Sequence, residues 1–169
     1  MFKYNEKNHR YYWNEKQMTG VTTVIGVIGK GDGLIQWAAN EAVIYIENNA
    51  PRPLGEDYQV SVPLLKDART AWKDERDKSA LWGTIVHAGV EVWIKTNEIP
   101  AKVNTDKGEF EVLPEHKKAI ERFVKWATDN KVKFFESEKK VYDSELFVAG
   151  TADFVCEMGG RKYIGDLKT

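Results

Sequence analysis

The stretch LFVAGTADFVCEMGGRKYIGDLKT, residues 146–169, contains two apolar runs with the pattern of β-strands, separated by a Gly-Gly turn. Successive side chains of a strand point to opposite faces, so Asp166 and Lys168 share one face while Leu167 points to the other. Asp153 lies in the first run, on the face opposite the residues expected in the core. If the two runs pair, two carboxylates and an ammonium group meet at one edge, which suits a divalent metal ion and a phosphate.

The composition excludes several classes of protein. Lysine and arginine number 25 and aspartate and glutamate 26, for a net charge of -1, so any nucleic-acid contact must come from a local basic surface. The single cysteine, Cys156, excludes an internal disulfide and a multi-cysteine metal site, and it fits a reducing cytoplasm. No basic start precedes an apolar run, and no stretch approaches about 18 apolar residues. We therefore expect a soluble cytoplasmic protein with neither a signal peptide nor a membrane span.

The length and the order of the patterns predict one domain over residues 1–169. Aromatic and polar residues alternate over residues 1–20, which predicts a hairpin with a second turn at residues 18–20. Residues 21–130 are mainly helical in pattern, and residues 131–169 form a strand core. Because helices come first and strands follow, the sequence predicts an α+β fold that ends in a three-stranded antiparallel meander.

Local signals divide the region between the hairpin and the strands. The segment TTVIGVIG, which begins at Thr22, is compatible with a strand or a helix, and we favour a short helix with Thr22 as its N-cap. GKGDG at residues 29–33 interrupts the chain, and a second helix starts at Asp32 or Gly33 and ends near residues 48–51. The other expected elements are a loop at 51–57, a helix from Ser61 or Val62, a helix over 79–96 that continues it or follows a kink, an exposed irregular excursion over 97–113, a helix over 114–130, and strands over 132–142, 146–157 and 162–168.

Four short motifs carry the candidate chemistry. GTIVH and a glutamate one helical turn later place Gly83, His87 and Glu91 on one helix. The other motifs are a strand with Glu138, GTADFV with Asp153, and GDLKT with Asp166 and Lys168. Their order and spacing resemble the RecB-like branch of the PD-(D/E)XK nuclease superfamily. VTTVIGVI followed by LIQWAANEA is also similar to the N-terminal region of its bacterial and phage exonuclease-type members.

The resemblance implies a restriction-endonuclease-like core and a metal-dependent deoxyribonuclease, expected to be an exonuclease, that uses Mg²⁺ or Mn²⁺. It implies His87 as a metal ligand, together with the backbone carbonyl of Leu167. Glu91 would then hold the imidazole or a metal-bound water, and the missing side chain of Gly83 would leave room for substrate. The implied partners are DNA and a recombination or replication protein.

The same site can be argued from chemistry. Phosphodiester cleavage needs a hard cation, which takes oxygen ligands from carboxylates, carbonyls and water. Asp153 and Asp166 are the proposed carboxylate ligands. Lys168 beside them would orient or help to deprotonate the attacking water and stabilise charge that develops on the phosphate. Imidazole suits manganese better than magnesium, so His87 indicates a manganese preference.

Glu138 has a competitor in Glu136, two residues earlier on the same face of the strand. We choose Glu138 because its distance to Tyr142 and to the GTAD segment matches the family pattern better. The lysines expected to contact phosphates nearby are Lys131, Lys133, Lys139 and Lys140.

The end of the sequence departs from the family pattern. RecB-like nucleases usually continue after the lysine strand with a helix that bears a Gln-x-x-x-Tyr motif and with further sheet, whereas this sequence ends at Thr169. We therefore expect a C-terminally truncated domain, or one whose missing elements a partner supplies. An unprotected terminal strand also predicts self-association by strand pairing.

Two other functions compete with the nuclease. One is a non-cleaving nucleic-acid-binding or assembly subunit with the same fold, and the other is an enzyme that acts on a different phosphate-containing substrate. Taken singly, His87 is typical of a core histidine, and Asp166 with Lys168 of a surface ion pair, so the metal site is predicted by their combination. His9 and His116 have no partner at ligand spacing and are expected on the surface.

Overall fold

The computed structural model describes residues 1–26, 31–50 and 60–168, and within them the chain forms an α+β fold of four helices and nine strands. This fold class is the one that the sequence predicts. The elements are β1 (Phe2–Asn5), β2 (Arg10–Trp13), β3 (Lys16–Gln17), β4 (Thr19–Gly20), α1 (Val21–Gly26), α2 (Gly31–Asn49), α3 (Val62–Thr96), β5 (Lys102–Thr105), β6 (Gly108–Glu111), α4 (Pro114–Asp129), β7 (Lys133–Asp143), β8 (Val148–Met158) and β9 (Arg161–Gly165).

The chain divides into two compact units, one of residues 1–28 together with 82–169 and one of residues 29–81. All candidate functional residues belong to the first unit. In the described part of the chain, no helix combines the length and apolar character that crossing a bilayer requires. The expectation of a single domain over residues 1–169 stays a prediction.

Strand β8 is the centre of the largest sheet. β7 pairs with it in antiparallel orientation along nearly its whole length, and two short strands share its opposite edge. β4 lies parallel to the beginning of β8, at Val148 and Ala149, and β9 lies antiparallel to its end, from Phe154 to Met158. The expected meander of β7, β8 and β9 is therefore present, and β4 is a fourth strand that the sequence did not predict.

The edge of β8 that β4 and β9 share is interrupted. Residues 150–153 fall between the two strands, and no described strand pairs with them on that side. Asp153 lies at the end of the interruption, next to the first residue that pairs with β9.

Alternation along β8 builds the core. Phe154 and Cys156 are buried, whereas the residues between and beside them are half-buried. Leu167 packs against the same core, while its neighbours Asp166 and Lys168 are exposed. The buried cluster consists of Val86, Val90, Ile120, Phe123, Phe154 and Cys156.

The N-terminal hairpin of β1 and β2 is confirmed, but its second turn lies elsewhere. Asn14 and Glu15 form that turn, with φ values of 46° and 66° that fit a two-residue connection between β2 and β3. Met18 is buried, and Thr19–Gly20 form β4. The turn predicted at residues 18–20 is wrong because burial of Met18 and pairing with β8 outweigh the local turn preference of glycine.

The first two helices start earlier than predicted. α1 begins at Val21, so Thr22 lies in its first turn and is not its N-cap. α2 spans Gly31–Asn49, which agrees with the predicted end. Of the break expected at residues 29–33, residues 29–30 lie outside the described residues, whereas 31–33 belong to α2. The loop expected at residues 51–57 lies outside the described residues.

The two helical patterns over residues 61–96 form one continuous helix, α3. The Ser61 hydroxyl accepts a hydrogen bond from the amide of Leu64 at 3.3 Å, which is how an N-cap satisfies the first turn. α4 begins at Pro114, as the sequence predicts, because proline fits the first turn of a helix.

Residues 97–113, expected to be an irregular excursion, contain the antiparallel hairpin of β5 and β6. Val103 is buried, and the Thr105 hydroxyl accepts a hydrogen bond from the amide of Lys107 in the turn at 3.1 Å. Four-residue strands have only two positions on each face, so their alternation does not stand out in the sequence.

β9 is shorter than the strand predicted over residues 162–168. It ends at Gly165, because the amide of Leu167 donates to the side chain of Asp153 and not to the backbone of β8. The turn predicted at Gly159-Gly160 is confirmed, with φ values of 58° and 74° that glycine adopts without strain.

We expect Gly165→Ala to destabilise the protein. A Cβ atom at this position would overlap the ring of Phe154, which is only 5% exposed and has little room to move. Overpacking of this kind costs about 1–3 kcal/mol. Urea unfolding followed by circular dichroism measures the loss.

Gly26→Ala is the matched control for this substitution. An added Cβ there meets nothing within 4 Å, so its free energy of unfolding should stay within about 0.5 kcal/mol of the wild-type value. Equal stability of the two variants would contradict the packing described at Gly165.

Candidate metal and nucleic-acid site

Three acidic residues occupy one row across β7, β8 and the end of β9. The two residues that flank Glu138 on β7 pair with the two residues that flank Asp153 on β8. On the other edge of β8, Phe154 pairs with Gly165 of β9. The register therefore puts Glu138 opposite Asp153 on one side and Asp166, one residue beyond β9, opposite it on the other. Directly opposed residues of antiparallel strands lie on the same face. We call Glu138, Asp153 and Asp166 the acid row.

Asp153, the central member of the acid row, is held by two other elements. Its Oδ2 accepts a hydrogen bond from the amide of Leu167 at 2.5 Å and lies 3.6 Å from Nδ1 of His87. The side chains of His87 and Asp153 are 33% and 21% exposed, so water screens their interaction only in part. α3 presents His87 to the sheet because Val86 and Val90 of the same helix lie in the core.

Asp166 and Lys168 form an ion pair at the surface. Their side chains are 62% and 85% exposed, so the pair contributes little to stability. The hydrogen bond and the charge of Asp166 raise the pKa of Lys168 above its usual value, and the charge of Asp153 adds to this effect. Lys168 is therefore an ammonium group in this arrangement.

Glu138 has an unusual backbone conformation. Its φ is 52°, in the left-handed region that residues other than glycine seldom adopt. Nζ of Lys140 donates to the carbonyl oxygen of Glu138 at 3.2 Å and lies 3.5 Å from its Oε2. Glu136 instead bonds Lys139 at 2.6 Å and pairs two positions further along β8. The register thus puts Glu138, and not Glu136, opposite Asp153.

Glu91 and Gly83 flank His87 on α3. The Glu91 carboxylate accepts a hydrogen bond from Nζ of Lys95 at 2.5 Å, one turn further along the helix. Gly83 is buried one turn before His87. In this structure Glu91 is therefore engaged with a lysine, while its position one turn from His87 is as the sequence predicts.

The four lysines proposed for phosphate contacts fall into two groups. Lys139 and Lys140 already pair with Glu136 and Glu138. Lys131 and Lys133 are exposed just before and at the start of β7. Lys133 pairs with Glu157, four residues along β8 from Asp153, so the second pair lies further from the acid row than the first.

The donor set can be tested for its fit to a metal ion. In the described part of the chain, no three His, Cys, Asp or Glu side chains stand close enough together to form a ligand cluster. His87 and Asp153 are in contact, and Asp166 holds the adjacent register position with its carboxylate bonded to Lys168. Two carboxylates and an imidazole suit Mn²⁺ or Mg²⁺ by their chemistry. The residues fit a metal ion in type and register, but the Asp166 carboxylate is bonded to Lys168 in this structure.

Sequence reasoning missed a cavity of about 540 Å³ beside the acid row. Its lining includes Tyr4 and Tyr11 of the N-terminal hairpin, Glu138 of the acid row and Thr151 of β8. Burial raises the pKa of Tyr4, and the charges of Tyr11 and Glu138 add to this shift, so its hydroxyl stays protonated near neutral pH. Regular alternation of aromatic residues in the hairpin was the signal, but nothing local showed that the hairpin would contact β8.

The prediction that His116 lies on the surface is wrong. The residue is 5% exposed and not on the surface, and its Nδ1 accepts a hydrogen bond from the amide of Leu113 at 3.1 Å. The imidazole satisfies a donor ahead of α4, as the glutamate of a capping box does. His9 is exposed, as expected, and bonds the Tyr4 hydroxyl through Nδ1 at 2.9 Å.

Comparison with known proteins gives no match: no protein-family model, no curated protein and no solved structure is significantly similar to the chain. The resemblance to the RecB-like branch is therefore one of motifs and spacing alone.

The conformation of Glu138 predicts an inverted preference between glycine and alanine. Both Glu138→Gly and Glu138→Ala remove the carboxylate, but only alanine retains a Cβ that is strained at positive φ. We expect the glycine variant to be about 1 kcal/mol more stable than the alanine variant, measured by urea unfolding.

Glu136 provides the comparison, because it lies on the same strand and is absent from the positions with positive φ. There the order should reverse, with glycine about 0.5–1 kcal/mol less stable than alanine. If alanine is more stable than glycine at both positions, Glu138 is not strained.

Proposed function

We propose that this protein is a metal-dependent deoxyribonuclease, an exonuclease that hydrolyses phosphodiester bonds. The proposal is carried by the acid row and by the position of His87, whose Nδ1 lies 3.6 Å from the central carboxylate. Like charges directly opposite each other destabilise a sheet, so the row is costly unless a cation balances it. Negative charge gathered beside an imidazole and a lysine suits chemistry on a phosphate.

Each residue has a role in this proposal. Asp153, Asp166 and His87 would hold Mg²⁺ or Mn²⁺, with the carbonyl of Leu167 as a further ligand. The bound metal supplies charge neutralisation at the phosphate and lowers the pKa of a water. The hydrogen bond from the Leu167 amide to Asp153 supports this assignment, because it brings the backbone of that residue to the carboxylate. Glu138 supports the site from β7.

The proposed role of Lys168 requires that its ion pair with Asp166 is broken. If Asp166 held a cation, the Lys168 ammonium group would lose its ion pair with that carboxylate and would be available to the substrate. It then orients the attacking water and stabilises the negative charge that develops on the phosphate. Glu91 supports His87 or a metal-bound water after releasing Lys95.

Membership of the RecB-like branch, and with it a restriction-endonuclease-like core, is part of the same proposal. The order of the parts supports it: a histidine on a helix, a glutamate on a strand, an aspartate on the next strand, and an aspartate directly after the last strand. DNA is the proposed partner, and a recombination or replication protein is the proposed context.

One observation favours a second candidate, a nucleic-acid-binding subunit that does not cleave. In the described residues no three potential ligands converge, and Asp166 is bonded to Lys168. A protein that keeps this arrangement in the presence of metal would bind a strand and leave it intact.

Cleavage of end-labelled single-stranded and double-stranded DNA with Mg²⁺ or Mn²⁺ tests the first candidate. We expect Asp153→Asn and Asp166→Asn each to lower kcat by about a hundredfold or more, because metal-based stabilisation is worth several kcal/mol. Lys168→Ala should lower kcat and leave the metal concentration for half-maximal activity unchanged.

Asp129→Asn is the control for loss of an aspartate. Asp129 is exposed on α4 and bonds Lys125 at 2.8 Å, outside the acid row, so this variant should retain wild-type activity. Full activity of Asp166→Asn would refute the assignment, and binding without cleavage in either metal would favour the second candidate.

The nitrogen donor predicts which metal works better. His87→Asn replaces a nitrogen ligand with an amide oxygen, which suits magnesium more than manganese. We expect the ratio of manganese-supported to magnesium-supported activity to fall about tenfold. Asp129→Asn, which changes an exposed side chain of α4 outside the acid row, serves as the control. An unchanged ratio in His87→Asn would remove His87 from the metal site.

A further inference from the structure

The cavity beside the acid row has the size of a small-molecule site. Its volume is about 540 Å³, within the range of about 300–1,000 Å³ typical of ligand pockets. The N-terminal hairpin, β4, α1, β7 and β8 all contribute to its wall. None of the roles proposed above uses it.

Two tyrosine rings in the wall are held in fixed orientations. The ring centroids of Tyr4 and Tyr11 are 5.0 Å apart. The Tyr4 hydroxyl bonds His9 Nδ1 at 2.9 Å, and the Tyr11 hydroxyl bonds the Thr151 hydroxyl at 2.7 Å. Aromatic rings held in this way suit the stacking of a nucleobase, which tolerates any base because every base has a π-face.

The wall also supplies positive charge and hydrogen-bonding groups. Arg10 lines the cavity, and its Nη1 donates to Oε1 of Gln17 at 2.9 Å. Nζ of Lys140 lies 4.8 Å from the centroid of the Tyr4 ring. An arginine and a lysine beside aromatic rings are the combination that binds the backbone and the bases of single strands.

The cavity lies one nucleotide step from the proposed reaction centre. Thr151 precedes Asp153 by two residues on the same face of β8, a distance of about 7 Å along the strand. Glu138 belongs both to the cavity wall and to the acid row. The interrupted edge of β8 at residues 150–153 adjoins both.

We propose that this cavity binds one unpaired nucleotide of the substrate strand, next to the scissile phosphate, with its base against Tyr4 and its phosphate near Arg10. The inference rests on the proposed function and adds the class of substrate. A base that enters the cavity is separated from its duplex partner, so the substrate is a single strand or a frayed end.

Fluorescence anisotropy with the full chain tests the proposal, using a labelled ten-nucleotide thymidine strand and a blunt duplex with calcium in place of magnesium. We expect the single strand to bind more tightly than the duplex. Tyr4→Leu should weaken single-strand binding about tenfold, the loss expected for one stacked base. Tyr142→Leu is its control, because Tyr142 stacks on Phe2 in the same aromatic cluster at 4.2 Å but does not line the cavity.

A second pair of variants keeps the test valid if Tyr4→Leu fails to fold. Arg10→Gln and Lys3→Gln each remove one exposed positive charge from the hairpin, but only Arg10 lines the cavity. Arg10→Gln should weaken binding several-fold more than Lys3→Gln. Equal effects within each pair, or no binding of either oligonucleotide, would overturn the proposal.

Cleavage assays run in parallel separate this inference from the proposed function. If the wild-type protein cleaves DNA and the Tyr4→Leu and Arg10→Gln variants bind the single strand as tightly as it does, the cavity proposal is refuted and the nuclease proposal is retained. If those variants bind more weakly but the wild-type protein cleaves with neither Mg²⁺ nor Mn²⁺, the cavity is supported and the nuclease is refuted.

Discussion

The pairing of β8 with β7 on one edge and β9 on the other is the constraint on which the candidate site depends. A shift of one residue in either register would turn the acidic residue of one strand towards the core and break the acid row. The register with β9 is reinforced at its end by the hydrogen bond from the Leu167 amide to the Asp153 carboxylate. Burial of Phe154 and packing of Leu167 hold the same register from the opposite face. Core packing and site geometry are therefore two results of one alignment.

The electrostatics of the acid row explain why its surroundings are basic. Directly opposed like charges in a sheet are destabilising, by an amount comparable with the roughly 0.2–1 kcal/mol of favourable cross-strand pairs. Each member of the row has a cationic or potentially cationic neighbour: Lys140 at Glu138, His87 at Asp153 and Lys168 at Asp166. These partners are mostly half-exposed or exposed and bind weakly. A divalent cation would compete well with them, which is the physical basis for the proposed change from ion pairs to metal ligation.

The sequence predicts what is local and periodic, and it misses what depends on distant contacts. The α+β class, the meander, α4 and the Gly159-Gly160 turn follow from periodicity and turn chemistry. The parallel pairing of β4 with β8 joins residues that are far apart in the chain, and no local sequence pattern predicts it. The cavity depends on the contact of Tyr11 with Thr151, 140 residues away. The acid row could be foreseen in part, because strand parity placed Asp153 and Asp166, whereas the strained φ of Glu138 is visible only in the structure.

Crystals of the protein soaked in manganese, measured at a wavelength where manganese scatters anomalously, test the central claim most directly. The account predicts one strong anomalous peak at bonding distance from Asp153, Asp166 and His87, with Lys168 released from Asp166. A saturated soak with no peak at the acid row, or with manganese bound only elsewhere, would contradict it.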